Sequence, residues 1–226
     1  MNLLTKPFNS DPAVETLVKK LHADFDFERF IETGTYMGFT TKWFADTFPD
    51  KEVYTVESQK VTYEKAQTLL KTCSNVRSYL GNSPVVLREI LQTKKKTFFY
   101  LDAHWGGTWP LRQELEEIAT SCKDTCCIMI DDFKVPNRPF QFDTYKNQPL
   151  DLDYVLPGLQ MIFTEPFVFF NGSSENTERP VGKLICYPKS WSSSLDFKTE
   201  NESTYSYTEQ QVYCLPATGL PTQPPV

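Results

Sequence analysis

From residue 30 to residue 130 short apolar runs alternate with stretches of helical periodicity, five times over, and a polar or acidic residue closes each run. Runs of three to five apolar residues are too short for helices and suit strands buried on both faces. The pattern predicts strands over 30–32, 53–56, 76–79, 98–101 and 126–130. Helices are expected between them: over 40–47 with Trp43 and Phe44 inward, around Ala66, Leu69 and Leu70, from Ser83-Pro84 through Leu91, and over 111–120. Upstream, Asp11-Pro12 offers a cap and a first-turn proline, and Val14, Leu17, Val18 and Leu21 follow at helical spacing. Strand and helix in strict alternation give an α/β fold, a Rossmann-like, mostly parallel sheet with helices on both faces.

After Ile130 the pattern changes. Residues 133–150 are rich in Pro, Asn, Gln and aromatics and read as a long loop, and 151–159 as a short helix. Residues 161–163 and 167–170 read as a strand interrupted at a proline, and 182–187 as its partner in a C-terminal antiparallel hairpin. One domain over 1–190 is expected. Residues 191–226, rich in Ser, Thr, Glu and Pro, are expected to form a flexible tail.

A net charge of -6 gives no electrostatic footprint for nucleic acid, and the one basic run, Lys94-Lys95-Lys96, suits a solvated turn. No apolar run approaches a membrane span and the N-terminus lacks the pattern of a secretory signal, so a cytoplasmic location is expected. The six cysteines form no C-x-x-C pair and only two histidines accompany them. Reduced core thiols, not zinc ligands or disulfides, are the expectation. The Asn171 and Asn201 glycosylation patterns are then chance matches.

In an open parallel sheet a ligand lies beyond the carboxyl ends of the strands. Those ends carry Glu32, Thr33 and Gly34; Glu57; Gly81, Asn82 and Ser83; Asp102 and His104; and Asp131 and Asp132. Glu32 precedes a glycine turn, Gly34 to Gly38, that lets backbone pass close to a ligand. A carboxylate facing that turn suits a ligand with a cationic end, such as an amino acid's amino group. Glu57 stands 23 residues after Gly34 and ends the second strand, where an acid can accept from both ribose hydroxyls. Asn82 and Ser83 either contact a base or cap the next helix. Asp102, Asp131 and Asp132 form an oxygen-rich set that suits magnesium; the alternative is that one of the pair caps the loop. His104 is either a general base near neutral pH or a group that orients its loop. Trp105, with 106–109, either walls a substrate pocket or belongs to the core. The loop after Asp132, with Phe140, Phe142 and Tyr145, could close over a substrate.

On these residues, 30–133 resembles a class I S-adenosylmethionine-dependent methyltransferase. The first-strand motif, residues 30–38, is similar to that family's cofactor motif, with Tyr36 where a middle glycine often stands. Within the class the chain resembles a subgroup with an E-T-G-T-x-x-G-x-T-T start, an L-D-A-H segment and an I-D-D segment, here 32–41, 101–104 and 130–132. It is similar more distantly to magnesium-dependent O-methyltransferases of catechols and macrolide sugars, in which an Asp after strand four and a pair after strand five hold the metal. The sugar-modifying members often have an acid where His104 stands, and the catechol type places a lysine near Trp105.

The resemblance implies S-adenosylmethionine as cofactor, with magnesium as a second one, and a small-molecule or sugar hydroxyl as methyl acceptor. It implies Glu32, Thr33, Gly34, Gly38, Glu57, Asn82, Ser83 and Asp102 around the cofactor. Asp102, Asp131 and Asp132 would hold the metal, and Asp102 with His104 would perform the chemistry. Two other classes fit the fold: an NAD-dependent oxidoreductase, which would want a glycine-denser turn, and a non-catalytic nucleoside-binding relative.

Overall fold

The computed structural model describes residues 6–104, 109–136, 138–171, 174, 176, 179–194 and 212–214. Five parallel strands come first: β1 (Arg29–Thr33), β2 (Glu52–Glu57), β3 (Val76–Leu80), β4 (Thr97–Leu101) and β5 (Cys126–Ile130). A two-residue ribbon follows, β6 (Thr144–Tyr145) against β7 (Gln148–Pro149). Then come β8 (Pro166–Phe170), β9 (Leu184–Pro188) and β10 (Val212–Cys214). The main sheet runs in the order β3-β2-β1-β4-β5-β9-β8-β10, with β9 antiparallel to both its neighbours. The α/β class, the parallel core and the C-terminal hairpin are as the sequence predicts. Within the expected tail, Val212–Cys214 pairs with β8 and forms the edge of the sheet.

Helices α1 (Pro12–Phe25) and α2 (Phe39–Thr47) cover one face; α4 (Ser83–Ile90), α5 (Leu111–Ser121) and α6 (Leu152–Ile162) cover the other. Helix α3 (Lys60–Leu70) links β2 to β3 and lays Ala66 and Leu70 beside Gly38. The alternation of a strand splits the apolar runs between the two cores. Phe30 and Phe98 join Phe44, Phe48 and the α1 residues, while Ile31 and Phe99 join Leu87, Leu115 and Leu159. Each fully buried side chain of this size contributes about 2 kcal/mol, and both faces bury apolar side chains, so strand register is fixed on both sides.

Residues 161–163, expected in a strand, instead extend and cap α6, whose interior holds Pro157. Val155, Leu156, Leu159 and Ile162 share one buried stripe, and that packing outweighs the missing proline N–H. A Cβ at Gly158 would meet Leu115 Cβ at 2.9 Å, so glycine lets α6 close onto α5. Cys73, Cys122, Cys126, Cys127 and Cys186 are free thiols, all but Cys73 buried. Among the described residues no helix is long and apolar enough to cross a membrane.

Candidate active site

Strand β1 delivers Glu32 and Thr33 to the carboxyl edge, and the chain then turns sharply. Gly34 has φ +85°, and a Cβ there would lie 2.4 Å from the Asp102 carbonyl oxygen. No other residue fits both the left-handed backbone and that contact. Gly34 and Thr35 donate their amides to the Val56 carbonyl, tying the turn to β2. Tyr36, in the place of the middle glycine, adopts φ +49°. Its amide donates to Glu57 Oε2 at 2.9 Å, and Gln59 N donates to Oε1 at 2.8 Å. Glu57 therefore holds the glycine turn with its own carboxylate, a role the sequence did not suggest. Gly38, at φ +82°, caps α2.

Glu32 is 2 % exposed, and no cation among the described residues forms an ion pair with it. The Thr41 and Thr55 hydroxyls donate to it. Burial pushes its carboxyl up to about 8; the Thr41 hydrogen bond opposes that, and the Asp102 and Glu57 charges add to it. Asp102 and Glu57 are thus both near enough for their charges to act on Glu32, three acids on one rim.

The ends of β4 and β5 hold a second group. His104 Nε2 lies 3.1 Å from Asp102 Oδ1 and 3.1 Å from Asp132 Oδ2. Its Nδ1 meets Asp143, on the loop after β5, at 2.5 Å. Burial would lower the imidazole's pKa, but hydrogen bonds to Asp102, Asp132 and Asp143 outweigh it and hold His104 charged well above neutrality. Both ring nitrogens are turned to carboxylates, the geometry of the second expected role, a group that orients its loop. Asp102 is raised to about 7, chiefly by burial and then by the Asp131 charge, against the His104 hydrogen bond.

Asp131 does not join this group. Successive residues at a strand end point to opposite faces, and Asp132 takes a left-handed conformation at φ +48°. Asp131 turns inward, where Oδ1 accepts from Lys183 Nζ and Asp132 N, and Oδ2 from the Tyr100 hydroxyl and Asn9 Nδ2. Four donors fill a carboxylate's capacity, so Asp131 has nothing left to offer a metal. The potential metal ligands that converge are Asp102, His104 and Asp132, all within 4.8 Å.

At the end of β3, Asn82 is the N-cap of α4 without a side-chain capping bond, and it is exposed. Ser83 is buried and faces Glu114 on α5. Glu114 is wholly buried, with the Ser83 and Thr33 hydroxyls as its polar neighbours. It lines a cavity of about 10 Å³ together with Asp102, Ala103, His104, Trp109 and Leu150. The signal for it was present in the sequence: Leu111, Glu114, Leu115 and Ile118 form one inward stripe, and a charge on that stripe is anomalous. Asp143 and Lys183 gave no comparable signal. Trp105 and residues 106–108 lie outside the described residues, and Trp109 stacks on Tyr154.

No protein-family model matches the chain, and no curated protein matches it. Solved structures do. A candidate caffeoyl-CoA O-methyltransferase from Staphylococcus aureus superposes with TM-score 0.57 at 17% identity, covering 76% of this chain and 81% of that one. A candidate O-methyltransferase from Klebsiella pneumoniae gives 0.58 at 16% identity, over 76% and 77%. TomG from Streptomyces achromogenes, an O-methyltransferase of tomaymycin synthesis solved with S-adenosylmethionine, gives 0.55 at 15% identity, over 76% and 77%. The chain has the Rossmann-like fold of these methyltransferases.

Proposed function

We propose that this chain transfers a methyl group from S-adenosylmethionine to a hydroxyl oxygen of a small molecule or sugar. The observation that carries the reading is the rim at the ends of β1, β2 and β4. There a buried, cation-free Glu32, a Gly34–Gly38 turn and Glu57 stand beside Asp102. A ligand with a positive amino group relieves the repulsion among those acids; a pyrophosphate would worsen it. That favours S-adenosylmethionine over NAD. The fold shared with O-methyltransferases, one of them solved with this cofactor, supports it.

Glu32 would receive the amino-acid end, with Thr33, Gly34 and Gly38 shaping its backbone cradle. Glu57 keeps free lone pairs for the ribose while its amide partners fix its direction. The reaction is a displacement in line with the sulfonium, so most of its acceleration comes from alignment of oxygen, carbon and sulfur. Asp102, with its raised proton affinity, accepts the proton from the acceptor hydroxyl, and His104, pinned by three carboxylates, positions Asp102.

A divalent ion fits Asp102, His104 and Asp132 once it displaces the proton from His104 Nε2, with Asp143 orienting the imidazole from behind. Bound there, it would lower the pKa of the acceptor hydroxyl. One nitrogen donor among two carboxylates suits manganese or zinc better than the all-oxygen set expected for magnesium.

The test is titration with S-adenosylhomocysteine and NADH, followed by transfer of labelled methyl to a panel of catechols and sugars. Binding of S-adenosylhomocysteine without NADH, and label in the acceptor, is the expected result. NADH binding alone would overturn the reading.

A further inference from the structure

In the sheet order β3-β2-β1-β4-β5-β9, Glu32, the glycine turn and Glu57 stand over β1 and β2, so the donor proposed above lies toward one end of the rim. The other end has a different character. Asp132 follows β5, and Arg179 arrives beside it on the chain that leads into β9. That half of the rim is left to the methyl acceptor.

Arg179 is held in place from several directions. Its Nε donates to Gln141 Oε1 at 3.1 Å, and its backbone N donates to Asn176 Oδ1 at 2.9 Å. The two stretches are laced together by their backbones: Gln141 N donates to the Pro180 carbonyl, and Gly182 N to the Gln141 carbonyl. A Cβ at Gly182 would overlap the Phe133 carbonyl oxygen, so glycine lets these segments close. Gln141 fixes the guanidinium much as Asp143, two residues on, fixes the His104 imidazole. The two side chains flank Asp132, with His104 Nε2 on Oδ2 and Arg179 Nη2 3.6 Å from Oδ1.

Asp132 does not use up this guanidinium. A separation of 3.6 Å is too long for a hydrogen bond. Among the described residues Nη1 meets no acceptor, so of five N–H donors only the one on Nε is engaged. The arginine side chain is 43% exposed and that of Asp132 only 4%, so the open face of the pair is the cation. A pair of this geometry adds little stability. A guanidinium whose stem is already pinned loses little freedom when it grips a planar oxyanion through both Nη atoms.

We infer that Arg179 recognises the methyl acceptor, and that the acceptor is a hydroxy compound bearing an anionic oxygen group, a carboxylate or a phosphate. The guanidinium grips that group while the hydroxyl faces Asp102. The inference rests on the methyl-transfer reading and narrows its acceptor from hydroxyl compounds at large to acidic ones.

The experiment is calorimetry on the full chain saturated with S-adenosylhomocysteine, using two matched pairs of probes: 3,4-dihydroxybenzoate against 3,4-dihydroxybenzamide, and glucose 6-phosphate against glucose. In at least one pair the acidic member should bind about tenfold or more tightly than its neutral counterpart. Arg179→Gln should remove that preference and leave S-adenosylhomocysteine affinity unchanged; Arg179→Lys, which keeps the charge without the fork, should restore only part of it. The pair that shows the preference distinguishes carboxylate from phosphate. No acidic preference in either pair, or one that survives Arg179→Gln, overturns the inference and leaves the methyl-donor reading intact. Equal weakening of acidic and neutral probes in Arg179→Gln marks a structural strut and overturns it as well. Failure of the wild type to bind S-adenosylhomocysteine overturns both.

Discussion

Replacing Glu32 with glutamine should change how stability depends on pH, in a direction opposite to that of most carboxylates. An acid paired with a cation in the native state stabilises a protein above its unfolded pKa. Glu32 has no such partner, and its native pKa rises from 4.5 to about 8. The native state therefore binds a proton that the unfolded chain has already lost between those two values. Stability must fall as pH rises through that window, by about 1.4 kcal/mol per unit, or about 5 kcal/mol across it. Below pH 4.5 both states are protonated and the effect vanishes; above pH 8 it is complete. The amide of Glu32→Gln does not titrate, so the constant cost of the substitution drops out of the comparison. Urea unfolding of the two proteins from pH 5 to pH 8.5 should show the variant gaining on the wild type, its relative stability climbing by several kcal/mol. Curves that stay parallel over that range would refute the argument that burial dominates the Glu32 environment.

Four other outcomes are expected. Gly34→Ala combines a left-handed alanine with a Cβ 2.4 Å from the Asp102 carbonyl, and denaturant titration should show a loss of about 3 kcal/mol. Lys183→Met strips the buried Asp131 of its cation and should cost about 3–5 kcal/mol in the same measurement, with Lys183→Met/Asp131→Asn recovering part of it. Asp143→Asn removes the carboxylate behind His104; manganese affinity, read by calorimetry, should fall about tenfold or more while the melting temperature holds. Glu57→Ala releases the Tyr36 and Gln59 amides, and S-adenosylhomocysteine binding should weaken by about tenfold; undiminished affinity would remove Glu57 from the site.

The parallel sheet was legible because its strands are buried on both faces and leave unbroken apolar runs such as residues 98–101. Helix α6 was misread past Leu159 because the short apolar run 161–163 suits a strand as well as a helix end, whereas Ile162 completes the buried stripe of the helix. The rim at Glu32, Gly34 and Glu57 could be placed from sequence, since position at a strand end determines where such residues gather. Which way each carboxylate turns could not. Asp131 and Asp132 are neighbours in the chain, yet one faces Lys183 and the other His104. That choice depends on Lys183 and Asn9, residues 52 and 122 positions away. Glu114 was visible as a break in the stripe of α5, but its neighbours Ser83 and Thr33, from α4 and β1, are a property of three dimensions alone.

The short turn over Phe8–Ser10 has a practical corollary. Phe8 is fully buried against Trp43, Phe44 and Tyr100, and Asn9 donates to Asp131. Asn176 in turn donates to the Asn9 carbonyl and Ser174 to Asp11, so two distant stretches are stitched over one carboxylate. A truncated version beginning at Pro12, which an inspection of secondary structure alone would recommend for crystallisation or tagging, would lose a plug from the aromatic core and uncap the sheet at its working end.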